Sequence, residues 1–232
     1  MRNRWKNLIS DKTFIFSLIV GVILLCSSLI INYYAQGYAV NRESSPVADI
    51  VLSNIPVFNV DVWFMYGPLV LGLILFISCI RNPCKIPLLL KSAAIFVTIR
   101  AIFITFTHIG PYPDHNILDS MDFDFLKTFS TSANFFIFSG GADLFFSGHT
   151  GMPFLAALIY WDNKLMRYIC LFSSFFFGIL ALLGHLHYTI DVASAFFITY
   201  TIYVIIKKLI PHDVAMFEEK EFVSQDVLHK PL

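Results

Sequence analysis

A histidine and an aspartate four residues apart form the pattern in this sequence with the clearest chemical meaning. His187 and Asp191 lie in the segment HLHYTID, residues 185–191. In a helix, residues i and i+4 share a face, so the carboxylate can accept a hydrogen bond from the imidazole N–H. The carboxylate would fix the imidazole tautomer and make the other ring nitrogen more basic. This is the base–orienter half of a catalytic triad.

A second pattern, Ser147-Gly148-His149-Thr150, is typical of a helix N-terminus. Ser147 is suitable as an N-cap, and Gly148 has no side chain to keep a ligand from the backbone. The free N–H groups and positive dipole end of a helix favour a phosphate there. His149 could then donate a proton to a phosphoryl oxygen or to its leaving group. An ordinary helix start could have the same four residues.

The composition indicates that a membrane surrounds these residues. The chain has 232 residues, of which 57% are hydrophobic and 14% charged, and its mean hydropathy is +0.71. Soluble domains are roughly 45–50% apolar and about 25% charged, so one soluble core cannot bury this excess. A soluble globular enzyme and a disordered chain are therefore excluded. The net charge of zero provides no basic surface for nucleic acid.

We predict an all-α, multi-pass integral membrane protein whose single catalytic domain is the whole chain, 1–232, with short tails at about 1–13 and 211–232. A membrane helix needs about 20 mostly apolar residues. Six stretches reach or approach that length: Phe14–Tyr34, Val62–Ile80, Ile86–Phe106, Phe145–Trp161, Leu165–Leu183 and Ile190–Ile210.

The distribution of lysine and arginine predicts that both termini are cytoplasmic. Basic residues precede the first stretch, follow the sixth, and lie between the second and third and between the fourth and fifth. The opposite loops, about 35–61 and 107–144, contain only two basic residues, Arg42 and Lys127, and are rich in acidic ones. This topology places both histidine motifs on the non-cytoplasmic (luminal, periplasmic or extracellular) side. A histidine pair with a carboxylate, beside an anion-binding helix end, is suited to phosphoryl transfer through a histidine nucleophile.

Two cations lie within the third stretch, where an ionisable group is costly. Arg100 is about 21 Å along this helix, so it should face the bundle interior, either as a ligand for phosphate or as a structural partner. Lys91 is near the cytoplasmic end, where we expect its side chain to extend to the interface.

The two histidine motifs, read as GADLFFSGHT (141–150) and HLHYTIDV (185–192), resemble the sphingomyelin synthase branch of the type 2 phosphatidic acid phosphatase superfamily of lipid phosphatases and phosphotransferases. Weaker similarity extends upstream, where residues 100–107 and Pro111-Tyr112-Pro113 resemble that branch's segment of an arginine followed by Pro-x-Pro. The resemblance covers roughly residues 100 to 195.

The resemblance implies a six-span enzyme that moves phosphocholine or phosphoethanolamine from a phospholipid to a lipid hydroxyl, such as that of ceramide. His187 would be the nucleophile, Asp191 its orienter, and His149 the group that handles the proton. The expected lipid partners are phospholipid, sphingolipid or diacylglycerol, and neither a cofactor nor a metal is expected. The expected substrate-binding residues are Arg100, Ser147, Gly148, Asp143 and Tyr188.

Two departures separate this sequence from the phosphatase branch of that superfamily. Phe146 replaces the proline that precedes Ser-Gly-His, and Leu180-Ala181 replaces the Ser-Arg pair ahead of the nucleophilic histidine. Arg100 is then the only deeply placed candidate for binding phosphate.

Three alternatives remain open from the sequence. A lipid phosphate phosphatase would use water as the acceptor. A non-catalytic transporter or lipid-binding protein would line a midplane pathway with its polar residues. A zinc site could be formed by His149, His185 and His187.

Overall fold

The computed structural model describes residues 8, 10–113 and 144–216, and all regular structure in that part of the chain is helical. Residues 211–216 are also helical, and two 3₁₀ turns lie at Leu52–Asn54 and Pro83–Lys85. The main helices are α1 (Lys12–Val40), α2 (Asp61–Arg81), α3 (Ile86–Thr107), α4 (Gly148–Ile159), α5 (Lys164–Leu183) and α6 (Thr189–Leu209).

Five of these helices are long and apolar enough to cross a membrane, namely α1, α2, α3, α5 and α6. Helix α4 has 12 residues, which extend about 18 Å and fall short of a hydrocarbon core of about 30 Å. The apolar stretch at 145–161 becomes this shorter helix because Phe146 has a left-handed backbone conformation and Ser147 caps the helix. An all-α membrane protein is supported, whereas six spans and cytoplasmic termini stay predictions.

Helices α1 and α3 form the most extensive helix pair among the described residues. The face of α1 against α3 contains small and polar side chains, including Gly21, Ser28 and Ala35, and these are buried. A Cβ atom at Gly21 would lie 3.2 Å from the Cβ atom of Leu90 in α3. Such small residues let membrane helices approach closely, since hydrophobic driving force between helices is weak in lipid.

Helix α4 is held tightly between its neighbours α3, α5 and α6. A Cβ atom at Gly151 would approach Phe96 Cζ to 2.7 Å and Thr199 Oγ1 to 2.8 Å, so a larger residue does not fit there. Gly178 of α5 faces Val192 of α6 and Thr150 of α4 in the same way, at 3.1 and 3.3 Å. The first turns of α4 and α6 therefore lie side by side against the C-terminal half of α5.

Lys91 differs from the expectation that it reaches an interface, because its side chain is buried in an ion pair. Its Nζ donates to Asp213 Oδ2 at 2.6 Å and to Ser17 Oγ at 2.8 Å. The Ser17 hydroxyl donates to the other carboxylate oxygen of Asp213. No local sequence pattern indicates this partner, because Asp213 is 122 positions from Lys91 and approaches it only when residues 211–216 pack against α1 and α3. The ion pair joins three segments of the bundle.

Candidate active site

The two histidine motifs meet through a backbone hydrogen bond between the starts of α4 and α6. The Ser147 N–H donates to the Asp191 carbonyl oxygen at 3.0 Å. Ser147 is also the N-cap of α4, as the sequence predicts, and its Oγ accepts from the Thr150 N–H at 3.4 Å. The next turn is fixed from α5, where the Ser174 hydroxyl donates to the Thr150 carbonyl at 2.7 Å. The Ser-Gly-His turn and the His–Asp pair thus belong to one region.

His187 and Asp191 face each other with 3.6 Å between His187 Nδ1 and Asp191 Oδ2. Asp191 is fully buried and His187 is 7% exposed. The separation is just longer than a hydrogen bond, and catalytic hydrogen bonds are often long before substrate binds. Asp191 Oδ2 also accepts the Tyr188 N–H at 3.1 Å, so the same carboxylate caps α6. Within the described residues, His187 Nδ1 and Asp191 Oδ1 have no hydrogen-bond partner.

His149 lies in an aromatic environment near both His187 and Arg100. Its ring stacks on Phe64 of α2 with 3.9 Å between centroids, and the ring of Phe177 in α5 meets it edge-on at 6.4 Å. The side chain is 6% exposed, and it interacts electrostatically with His187 and Arg100. The predicted proton-transfer group and the predicted nucleophile are therefore neighbours. Sequence reasoning missed Phe64, which no motif distinguishes from the other 24 phenylalanines.

Arg100 faces the bundle interior, as the sequence predicts, and is 3% exposed. Its Nε donates to the carbonyl oxygen of Phe146 at 3.1 Å. Phe146 is fully buried with φ of 34°, a conformation that non-glycine residues rarely adopt. Arg100 thus stabilises the strained residue directly before Ser147. Its predicted contact with phosphate stays a prediction.

The other predicted substrate-binding residues are Gly148, Tyr188 and Asp143. Gly148 is the buried first residue of α4. The Tyr188 hydroxyl donates to the Gly110 carbonyl at 2.9 Å and accepts the Val47 N–H at 3.2 Å, so it joins two loops to the start of α6. This hydroxyl already has two protein partners, and its predicted substrate contact stays a prediction. Asp143 lies outside the described residues.

Asp49, in the loop between α1 and α2, also holds the start of α6, and the sequence motifs do not reveal it. Its Oδ2 accepts the Thr189 N–H at 2.7 Å and its Oδ1 accepts the Thr189 hydroxyl at 2.8 Å. Oδ1 also accepts the N–H groups of Val51 and Leu52. Burial raises the pKa of the Asp49 carboxyl, but these hydrogen bonds together lower it more, and the net pKa lies below its ordinary value. Asp49 is therefore ionised at neutral pH and holds Thr189, the residue that lies in the sequence between His187 and Asp191.

A metal site does not assemble in the part of the chain that the structure describes. No group of three or more His, Cys, Asp or Glu residues there is arranged to hold a metal ion. His149, His185 and His187, which the zinc alternative combines, do not form such a group.

The comparisons with known proteins concern the same region of the chain. No curated protein and no solved structure matches. Residues 140–209 match the family described as PAP2 superfamily, C-terminal. This match contains both histidine motifs and helices α4, α5 and α6, and it ends where α6 ends. The match supports placing the chain in the type 2 phosphatidic acid phosphatase superfamily, without selecting a branch of it.

Proposed function

We propose that the protein is a lipid phosphotransferase that moves phosphocholine or phosphoethanolamine from a phospholipid to a lipid hydroxyl such as that of ceramide. Similarity to the PAP2 superfamily suggests lipid phosphatase or phosphotransferase activity. The observation that carries the proposal is the hydrogen bond from the Ser147 N–H to the Asp191 carbonyl. It joins a helix N-terminus, which favours a phosphate, to a buried His–Asp pair.

In the first step, His187 attacks the phosphorus of the donor phospholipid. Its Nδ1 faces Asp191, so Nε2 is the attacking nitrogen, and the carboxylate stabilises the positive charge that forms on the ring. The new P–N bond forms as the P–O bond to diacylglycerol breaks. His149 gives its proton to the departing diacylglycerol oxygen.

In the second step, the acceptor lipid returns the head group to an oxygen. The hydroxyl attacks the phosphorus, the P–N bond breaks, and His149 takes the hydroxyl proton. In both steps the N–H groups at the start of α4 stabilise the non-bridging phosphoryl oxygens, and Arg100 adds a positive charge nearby. The enzyme ends the cycle in its starting protonation state.

The surroundings of the histidines favour a lipid acceptor over water. His149 and His187 are both largely buried, and the ring of Phe64 covers one face of His149. An apolar environment admits a lipid hydroxyl and limits the access of water, which suppresses hydrolysis of a reactive intermediate. A phosphatase would share the first step and differ only in the attacking group.

A product assay distinguishes these reactions. Purified protein receives labelled phosphatidylcholine or phosphatidylethanolamine, with and without ceramide or diacylglycerol, in excess chelator. We expect a labelled lipid product that requires the acceptor and forms without a divalent metal. Release of free head group or phosphate instead would indicate a phosphatase, and turnover that only zinc restores would favour the metal alternative.

The matched variants in this assay are His187→Ala and His212→Ala. The His212 side chain is 66% exposed and lies in the 211–216 helix, beyond the end of α6. We expect His187→Ala to lower product formation on the order of 10²-fold or more and His212→Ala to leave it unchanged. No product from the unaltered protein with any donor and acceptor pair would contradict the proposed function.

A further inference from the structure

His185 is a buried imidazole whose hydrogen-bonding capacity the described protein does not use. The residue is 3% exposed, and within residues 10–113 and 144–216 neither Nδ1 nor Nε2 has a hydrogen-bond partner. Buried polar groups are hydrogen-bonded in the great majority of cases, so each exception requires an explanation. None of the catalytic steps proposed above uses this residue.

His185 also has a left-handed backbone conformation, which residues with a side chain rarely adopt. Its φ is 51°, and it occupies the position after the C-cap Gly184 of α5, where glycine is preferred. Two backbone bonds close the turn, from His185 N–H to the Leu182 carbonyl at 3.1 Å and from Leu186 N–H to the Ala181 carbonyl at 2.8 Å. The backbone conformation of the turn would therefore favour glycine here, and no hydrogen bond within the described residues accounts for the imidazole.

The turn holds His185 beside the proposed nucleophile. His187 follows two residues later, and its N–H is directed to the same Ala181 carbonyl at 3.4 Å. The ring of Tyr112 meets the His185 ring at 88° with 5.1 Å between centroids. The Tyr112 hydroxyl lies 3.2 Å from the hydroxyl of Ser53, which lies between α1 and α2. Tyr112, which follows α3, thus covers the imidazole, and Ser53 contacts Tyr112.

We propose that His185 is a substrate-binding residue that donates a hydrogen bond from its imidazole N–H to a non-bridging phosphoryl oxygen of the lipid. This inference rests on the proposed function and adds a residue to its binding site. Phosphodiester oxygens only accept hydrogen bonds, and an imidazole always carries at least one N–H donor. A hydrogen bond between a donor and an anionic oxygen is stronger than one between neutral groups.

Two substitutions separate binding from folding. His185→Gly removes the donor and suits the left-handed backbone, whereas His185→Asn keeps a donor and also tolerates that backbone. We expect His185→Gly to unfold at the same temperature as the unaltered protein or a higher one. Its KM for the donor phospholipid, and its inhibition constant for orthovanadate as a phosphate mimic, should each rise on the order of 10-fold or more. His185→Asn should recover part of both losses.

His108 provides a matched control for the backbone effect. It is also a histidine with positive φ, 47°, at a helix C-terminus, but it follows α3 and its ring packs on Tyr38 of α1. We expect His108→Gly to relieve a similar strain while leaving KM and orthovanadate inhibition unchanged. Equal changes in both glycine variants would show that His185 acts only through the backbone, and would overturn the proposal.

Orthovanadate binding also tests the proposal without turnover. The ligand should raise the unfolding temperature of the unaltered protein and of His108→Gly, and should raise that of His185→Gly much less. If the protein turned over no lipid but showed this difference, the proposed reaction would fail while the His185 contact stood. Unchanged orthovanadate binding in His185→Gly, or no binding to the unaltered protein, would overturn the contact. A raised KM with unchanged orthovanadate binding would instead place His185 on the head group beyond the phosphate.

Discussion

At the scale of single residues, Asp191 combines two tasks in one carboxylate. Its Oδ2 caps α6 through the Tyr188 N–H and also faces His187 Nδ1. An asparagine at this position keeps an oxygen for the cap but removes the negative charge from beside the imidazole. Asp191→Asn therefore separates helix capping, which the structure shows, from the proposed orientation of His187.

We predict that His149→Ala, His187→Ala and Asp191→Asn each lower the rate of head-group transfer on the order of 10²-fold or more, as general acid–base groups do. Because these residues act as one unit, the double histidine variant should be little worse than the worse single variant. Initial rates at equal amounts of folded protein in membranes measure this, and His212→Ala is the control. If His187→Ala kept most of its activity with normal folding, the catalytic assignment would be wrong and a transport role would gain support.

The sequence indicates some residues of this site and conceals others for a physical reason. His187 and Asp191 are visible because a four-residue spacing fixes their relation within one helix, and Arg100 is visible because a cation is unusual in an apolar stretch. Phe64 and Asp49 act on partners distant in the chain, the latter across 140 positions. No local pattern encodes such contacts, since they arise only when the helices pack.

At the scale of elements, the loop between α1 and α2 is hydrogen-bonded to the first turn of α6. Asp49 makes this connection, because it accepts hydrogen bonds from both the N–H and the hydroxyl of Thr189. The start of α6 is thereby held in position from a segment that precedes it by most of the chain. Loop and helix should loosen together when this contact is lost.

We predict that Asp49→Asn lowers the free energy of unfolding on the order of 1–3 kcal/mol, since it weakens hydrogen bonds to a charged acceptor. The folded pKa of Asp49 is lowered, so its stabilisation is complete above the ordinary carboxyl pKa and is lost as pH falls through the lowered value. The difference in the free energy of unfolding between Asp49→Asn and the unaltered protein should therefore shrink as the pH falls from 7 through the lowered pKa of Asp49. Asp162→Asn, at an exposed position in the turn after α4, is the control. If Asp49→Asn and the unaltered protein were equally stable at pH 7, the Asp49–Thr189 hydrogen bonds would not stabilise the fold and this prediction would be wrong.

The length of α4 shows what hydropathy predicts and what it does not. The apolar stretch Phe145–Trp161 predicts a helix in the right place, but the helix is limited to Gly148–Ile159. Hydropathy is insensitive to a left-handed residue such as Phe146, which turns the chain before Ser147 caps the helix. The positions of the other five long helices follow closely from their apolar runs.

At the scale of the whole molecule, the asymmetric distribution of lysine and arginine predicts the membrane orientation. We predict that Lys127→Cys and Lys164→Cys, in a background without Cys26, Cys79, Cys84 and Cys170, react with an impermeant thiol reagent from opposite sides of sealed vesicles. Labelling after solubilisation is the control for reactivity. Reaction of both positions from one side would contradict the predicted topology. Lys127 lies outside the described residues, so this prediction depends on charge alone.

Gly178 packs against Thr150 and Val192, so it marks the level along α5 at which the first turns of α4 and α6 lie. This level determines how deep in the membrane a lipid phosphate would bind. Gly178 is about 21 Å along α5 from Lys164, and Arg100 is about 21 Å along α3 from Ile86. With α3 and α5 both starting at one boundary of a hydrocarbon core about 30 Å thick, we predict that the proposed site lies roughly 10 Å below the far boundary of that core. Under the proposed function, we expect the phosphate of a bound phospholipid to lie below the plane of the neighbouring phosphates, where protein groups would replace its hydration. We expect a lipid alcohol, which is anchored by its own acyl chains, to reach that depth more readily than water does. Product formation should then be faster in bilayers of lipids with shorter acyl chains, because the phosphate of the donor would have less far to move.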